Sequence, residues 1–299
     1  MTIEAGGPDV NEVGAFHSWL AAVEVEAREM FGADDRLGTA NHIDAGARLR
    51  AAACVRTGGA LSLARPLVEA PGMSISISTF NNGDVVVDRM EASCHGHTKT
   101  HLDALNHMAE GGRFYGGRSA HDSDLPTIVD LAEHGLFTRA VVADIPAVRG
   151  TPWIEADHPV TAADIDAATA DVEIAPGDAL LLYMGRDRWE EAGYGHEAAA
   201  GPLKPGAGRS VAQWVWEHRI SIVGWDFIDA QDVAEPTPEE KGTVHRLLAA
   251  AGLVLIDNCH LGPAARELRR QGRRSGALAA LPLGPVGGTG SLVTPWLFL

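Results

Sequence analysis

The chain has 299 residues, 45% of them hydrophobic, with a mean hydropathy of −0.03, which allows a sizeable core and excludes wholesale disorder. Forty acidic residues against 24 basic ones leave a formal charge of −16, which argues against a general nucleic-acid binder and against an anionic membrane surface. Three cysteines (Cys54, Cys94, Cys259) with no C-x-x-C pair make no disulfide framework, and no apolar run approaches the ~20 residues of a spanning helix, so a soluble cytoplasmic protein is expected.

Residues 1–10 read as a loose tail with neither a basic n-region nor an apolar h-region, so no secretory leader is expected. Val13, Phe16, Leu20, Val23 and Met30 recur at roughly helical spacing and predict an amphipathic helix over 12–30, followed by a turn at Phe31–Asp35. Residues 73–80 read MSISISTF, in which Ile75 and Ile77 alternate with serine as in a strand. Asn81-Asn82-Gly83-Asp84 is a hairpin-type turn, and Val85–Val87 returns as the second strand, so the sheet is expected not to be purely parallel. Further strand signals lie at Ala140–Ile145, Ala179–Met184, Ile220–Trp225, Leu253–Ile256 and Leu292–Leu299. Between them, Thr161-Ala162-Ala163-Asp164 resembles a capping box with Asp in place of Glu or Gln. Thr237-Pro238-Glu239-Glu240 predicts a helix start, with a cap, Pro in first position and acids in the first turn; that helix would carry His245 and end near Gly252. There is no repeat, low-complexity tract or dividing linker, so residues 1–299 read as one α/β domain.

Four of the 13 histidines, His95, His97, His101 and His107, fall within residues 95–107, together with Asp103. Imidazole with carboxylate suits zinc, iron or manganese. His101 and Asp103, two apart, point the same way on an extended strand, and His97 shares that face if the segment stays extended, although a bend is needed to bring it close. Ala104-Leu105 looks like a helix start, on which Asp103 and His107 would be i and i+4 neighbours. The helical H-E-x-x-H zinc motif does not fit, because Thr98 holds the place of the glutamate and Gly96 and two threonines disfavour a helix. Cys94 beside the cluster reads more simply as a buried thiol than as a ligand or nucleophile.

The segment His97-Thr98-Lys99-Thr100-His101-Leu102-Asp103-Ala104-Leu105-Asn106-His107 resembles the H-x-G-T-H-x-D-x-x-x-H signature of the cyclase family, which includes kynurenine formamidases and isatin hydrolases. Gly32–Thr39 is similar to the family's N-terminal G-x-D-D-x-x-G-T stretch. Gly112–Gly117 is similar to the segment that follows the metal motif in the longer members. Gly177–Leu181 is similar to a G-D-A-L-L strand, and Gly287–Ser291 to a C-terminal G-G-T-G-S loop. These segments keep the family's order over nearly the whole chain.

The resemblance implies a swivelling β/β/α domain with a mixed, barrel-like sheet and surrounding helices. It implies His97, His101 and Asp103 as metal ligands, with His107 a second-site ligand or general base. His245 and Asp257, twelve apart, match a further His/acid pair, with Asp257 where the formamidases carry Glu; the shorter side chain bears on whether a second ion binds. Lys99 stands where the pattern has Gly, so it either points away from the metal or binds an anionic substrate group. Position relative to the family segments marks Trp19, Phe114, Tyr115 and Trp225 as pocket-lining candidates, and Asp226 and Asp229 as rim residues or turn caps.

The implied protein is a homodimer or larger homo-oligomer, with residues 1–30 reaching a partner, that binds one divalent zinc or manganese ion, with room for a second. It would hydrolyse an amide or lactone in a small cyclic or aromatic carbonyl compound, with His107 or His245 moving the proton. The alternatives are a metal-dependent cyclase or lyase and a non-catalytic binding protein that kept the fold.

Overall fold

The computed structural model describes residues 12–70, 72–195, 203–231, 237 and 241–299. The expected tail at 1–10 lies outside the described residues, as do Pro238, Glu239 and Glu240 of the expected helix start.

Eleven strands and nine α-helices are formed among the described residues. Nine strands make one curled, half-barrel sheet. Its centre is four parallel strands, β5 (Leu136–Asp144), β6 (Ala179–Tyr183), β7 (Ile222–Trp225) and β8 (Val254–Asp257). Beyond β8 lie β4 (His101–Asp103) and β10 (Gly290–Leu292), and beyond β5 lie β9 (Ser275–Ala280), β11 (Trp296–Phe298) and β1 (Ala60–Ser62); all five are antiparallel to their neighbours. The central strands are mostly apolar because both faces are covered. In β6, Leu180 and Leu182 face one core, while Ala179, Leu181 and Tyr183 face the other.

The first core is closed by α1 (Val13–Phe31), α5 (Ala162–Thr169), α7 (Arg209–Glu217) and α8 (Arg246–Ala251). The second is closed by α3 (Ile128–His134) and α9 (Gly262–Arg270). The remaining helices are α2 (Ala45–Ala52), α4 (Ile145–Arg149) and α6 (Arg186–Glu191). The capping box read at Thr161 and Asp164 forms as expected, with Asp as the third helical residue. α1 buries Phe16, Trp19, Leu20, Val23 and Ala27 in the first core and packs against α8. No described helix is long and apolar enough to cross a membrane.

Four local expectations are corrected. The hairpin, β2 (Met73–Phe80) and β3 (Val85–Ala92), pairs only with itself, so the mixed character of the main sheet comes from its flanking strands. Most of the hairpin is exposed, including Ile77, Phe80, Val86 and Met90. No helix starts at Ala104-Leu105; the chain turns there, and the His107 amide donates to the Ala104 carbonyl. The described residues 241–245 are turn rather than helix, so α8 begins only at Arg246, with His245 as its cap residue; it ends at Gly252, in the left-handed conformation, as expected. The expected strand at 292–299 is divided in two at Val293–Pro295.

Candidate metal centre

The site forms at the carboxyl ends of the parallel strands, where open α/β sheets place their ligands. Short β4 is hydrogen-bonded between β8 and β10, with His101 opposite Asp257 and Asp103 opposite Leu255. Side chains alternate along a strand, so Leu102 enters the second core while His101, Asp103 and Asp257 share the face that carries Leu255 of the first core. α8 covers that face, and its cap residue His245 completes the group.

Two overlapping sets of donor atoms result, each spanning no more than 4.8 Å: His95, His101 and Asp103, and Asp103, His245 and Asp257. Asp103 belongs to both and is fully buried. His95 Nδ1 is 3.0 Å from Asp103 Oδ1, and its Nε2 is 3.0 Å from Thr289 Oγ1. The glycine-rich loop at 287–291 packs against this ring. A Cβ on Gly290 would lie 2.6 Å from His95 Cε1, so only glycine fits.

The hydrogen bonds fix which ring nitrogens face the centre. His101 Nδ1 donates to the Lys99 carbonyl at 2.9 Å, leaving Nε2 bare at 3.5 Å from Asp103 Oδ1 and 3.8 Å from Asp257 Oδ2. His245 Nδ1 donates to Asp229, leaving Nε2 3.3 Å from Asp257 Oδ2 and 3.7 Å from Asp103 Oδ2. Lone pairs therefore face lone pairs, and the buried Asp103 Oδ2 has no hydrogen-bond partner among the described residues. Acceptors converging on acceptors fit a cation. In its absence a proton substitutes. Burial works against charge on His245, but Asp257 and Asp229 outweigh it and carry its pKa well above the ordinary imidazole value. Burial also opposes charge on Asp257, yet His245 holds that carboxyl well below the usual range.

Supporting side chains come from separate elements. Trp225 Nε1 donates to Asp257 Oδ1, and its ring lies 5.3 Å from that of His245. Asp229 also accepts from the Val244 amide and from Thr243 Oγ1. Buried Arg186 donates to the Asp226 and His97 carbonyls and to Asn258 Oδ1, tying the ends of three strands to the histidine loop. Burial pushes its guanidinium down to about 10. Asp226 accepts from the amides of Met184, Gly185, Arg186 and Phe227 and caps the end of β6; burial pushes its carboxyl up to about 6.

A cavity of about 290 Å³ opens onto the centre, lined by His95, His97, His101, His107, His245, Asp229, Asp257, Lys204 and Lys241, among others. His107 stacks on His95 with ring centroids 3.6 Å apart, and its ring forms no hydrogen bond among the described residues. Burial lowers its pKa.

Several expected positions differ. His95, not His97, joins His101 and Asp103, because residues 93–100 turn and bend, with Gly96 at φ +117°, instead of running extended; His97 lies on the cavity wall. Lys99 is 5% exposed, its Nζ donates to Thr98 Oγ1 at 3.3 Å, and it does not line the cavity. Trp19 lies in the first core. Phe114 lines a different depression with His17 and Glu24. The Tyr115 hydroxyl donates to Asp35 at 2.9 Å. Trp225 touches the carboxylate of the centre rather than the cavity. Asp229, read from the sequence as rim or cap, is the partner of His245; Arg186, Asn258, Lys204 and Lys241 were not singled out as site residues.

The family model described as "Putative cyclase" matches residues 63–232. No curated protein matches the sequence. Among solved structures, the chain is similar to a novel cyclase at 23% identity and a TM-score of 0.77, covering 90% of this chain and 96% of that one. It is similar to isatin hydrolase A from Labrenzia aggregata, solved with benzyl benzoate, at 20% identity and a TM-score of 0.59, covering 83% and 96%. Isatin hydrolase A from Ralstonia solanacearum is 19% identical with a TM-score of 0.57, covering 80% and 90%. At these identities the likeness is one of fold.

Proposed function

This chain belongs to the cyclase family, and from that premise we propose that it is a metal-dependent hydrolase opening an amide or lactone bond in a small cyclic or aromatic carbonyl compound. The observation that carries the reading is Asp103, a fully buried carboxylate with a partnerless oxygen, shared by two sets of donors whose bare imidazole nitrogens face carboxylate oxygens. A buried charge left in that state costs several kcal/mol unless a cation compensates it.

His95, His101 and Asp103 would hold one divalent ion, and Asp103, His245 and Asp257 a second. The shorter Asp257 is within reach because β8 places it directly opposite His101. The mixed nitrogen and oxygen donors suit zinc or manganese. A divalent ion held there acidifies a water it binds and polarises a carbonyl.

The remaining work falls to the chain itself. Asp229 and the Lys99 carbonyl hold His245 and His101 in the tautomers that present Nε2. Trp225 fixes Asp257. His107, on the cavity wall and with burial disfavouring its charged form, accepts a proton and returns it to the leaving nitrogen or oxygen. The cavity lies at the small end of the range for ligand sites, which suits a single-ring compound.

The test is elemental analysis of protein purified without added metal, followed by assay of His101→Ala on cyclic amides and lactones. One or two equivalents of a transition metal per chain, with metal and hydrolysis both lost in the variant, is the expected result. No metal retained after incubation and desalting, or a His101→Ala protein as active as wild type, would overturn it.

A further inference from the structure

The chain contains only three lysines, Lys99, Lys204 and Lys241, against 21 arginines. Two of the three line the cavity above the candidate metal centre. Lys204 is fixed there by its backbone, which exchanges hydrogen bonds with Gln231 on the adjoining stretch of cavity wall, 2.9 Å for Lys204 N to Gln231 O and 3.0 Å in return. Lys241 enters from the segment that leads into His245. Among the described residues neither ammonium forms an ion pair or a side-chain hydrogen bond. Many of the arginines, by contrast, are paired with carboxylates or carbonyls, as Arg36, Arg139, Arg149 and Arg269 are.

From this placement we infer that the substrate carries an anionic group, of carboxylate type, which docks between Lys204 and Lys241 while its scissile carbonyl faces the histidines. The inference rests on the hydrolase reading for the identity of the substrate, but the anion site stands on its own residues. Two like charges brought to one cavity repel each other, and an anion between them removes that cost. Burial, then Lys241, lowers the pKa of Lys204, while Asp229 partly opposes this. Lys204 shares the lining of the cavity with His97, His101 and His107. The rest of the molecule works the other way. A net charge of −16 repels anions at long range, and a local pair of lysines is what admits one. Lysine offers the anion a compact point charge with three rotatable donors.

The test uses benzoate and benzamide, equal in size and differing in charge, titrated by calorimetry at low ionic strength against the full chain after chelator treatment, so that no metal contributes. Wild type should bind benzoate about tenfold more tightly than benzamide, and Lys204→Gln and Lys241→Gln should each remove most of that preference while leaving benzamide binding unchanged. The unchanged benzamide affinity also shows that the variants are folded. Equal affinities in wild type, no binding of either probe, or a preference that survives in the double variant would overturn the proposal. Metal content is measured on the same preparations before chelation. A chain that takes up no metal yet prefers benzoate through the lysines would refute the hydrolase and keep the anion site; full metal content without the preference would do the reverse.

Discussion

His101 and Asp257 face each other across one pair of strands, yet what stands behind each differs. Behind His101 is backbone: the Lys99 carbonyl fixes the ring, and β4 is held by its two neighbouring strands. Behind Asp257 and His245 are side chains: Trp225 on one, Asp229 on the other, with Asp229 itself held by Thr243 and the Val244 amide. One half of the centre is thus insensitive to most single substitutions around it, and the other can be dismantled one support at a time. Asp103 is common to both.

The comparison breaks most completely at Asp103. In Asp103→Asn both donor sets lose their shared ligand, so metal content should fall to near zero and hydrolysis by more than about 10³-fold, as expected when the activating ion is lost. The sign of the stability change is the sharper point. Without metal, the substitution removes a buried charge whose Oδ2 has no partner, so the variant should melt no lower than metal-free wild type. Added metal should raise the melting temperature of wild type and leave that of the variant unchanged. A metal-free variant that melts well below metal-free wild type would mean that Asp103 is a structural acceptor.

The next effect separates His95 from His97. His95→Ala should weaken metal binding by more than about 100-fold, beyond what loss of a merely supporting residue costs, while His97→Ala should change it by less than about threefold. Competition with a chromophoric chelator reads both. Equal losses would show that the loop rearranges on metal binding to bring His97 in.

This pair also shows where the sequence stopped being readable. The apolar runs at β5 to β8 could be recognised because strands buried on both faces must be continuously hydrophobic. β4 and β9 were harder: three residues, His101-Leu102-Asp103, and a stretch of small ones, Ser275–Ala280, carry no such run. His101 and Asp103 were placed on one face by a period of two, which held because β4 is extended there. The same period extended back to His97 failed at Gly96, whose left-handed conformation starts a bend no periodicity reveals. Asp229 could not be told from a turn residue, since its role depends on a loop folding back on His245. The scarcity of lysine was visible from the start, but only the cavity shows that two of the three share a wall.

Asp229→Asn removes one of the side-chain supports. The amide oxygen can still accept from Val244 and Thr243, but the position opposite His245 Nδ1 becomes an NH2 donor and the negative charge is lost. Metal affinity should fall about 10- to 100-fold. The pH dependence should move as well. A proton on His245 competes with metal, so uptake rises as pH passes the raised pKa of the metal-free protein. That elevation, opposed by burial, comes from Asp257 and Asp229. Removing the Asp229 charge lowers it, and the midpoint of metal uptake should shift to lower pH even as the maximal affinity falls. A midpoint that stays in place would leave Asp257 alone responsible for the elevation.

The smallest expected effect is at Trp225. Trp225→Phe keeps most of the ring packed in the first core but removes the Nε1 donor to Asp257 and leaves part of the indole volume unfilled. Together these should cost about 1–3 kcal/mol of stability, read by denaturant unfolding. Metal affinity should fall only about two- to fivefold, well below the loss in Asp229→Asn, because Asp257 is still held in place by the register of β8 against β4. Backbone and side-chain support meet at this one residue. If Trp225→Phe costs as much metal affinity as Asp229→Asn, strand register alone does not position Asp257, and the two halves of the centre differ less than their hydrogen bonds imply.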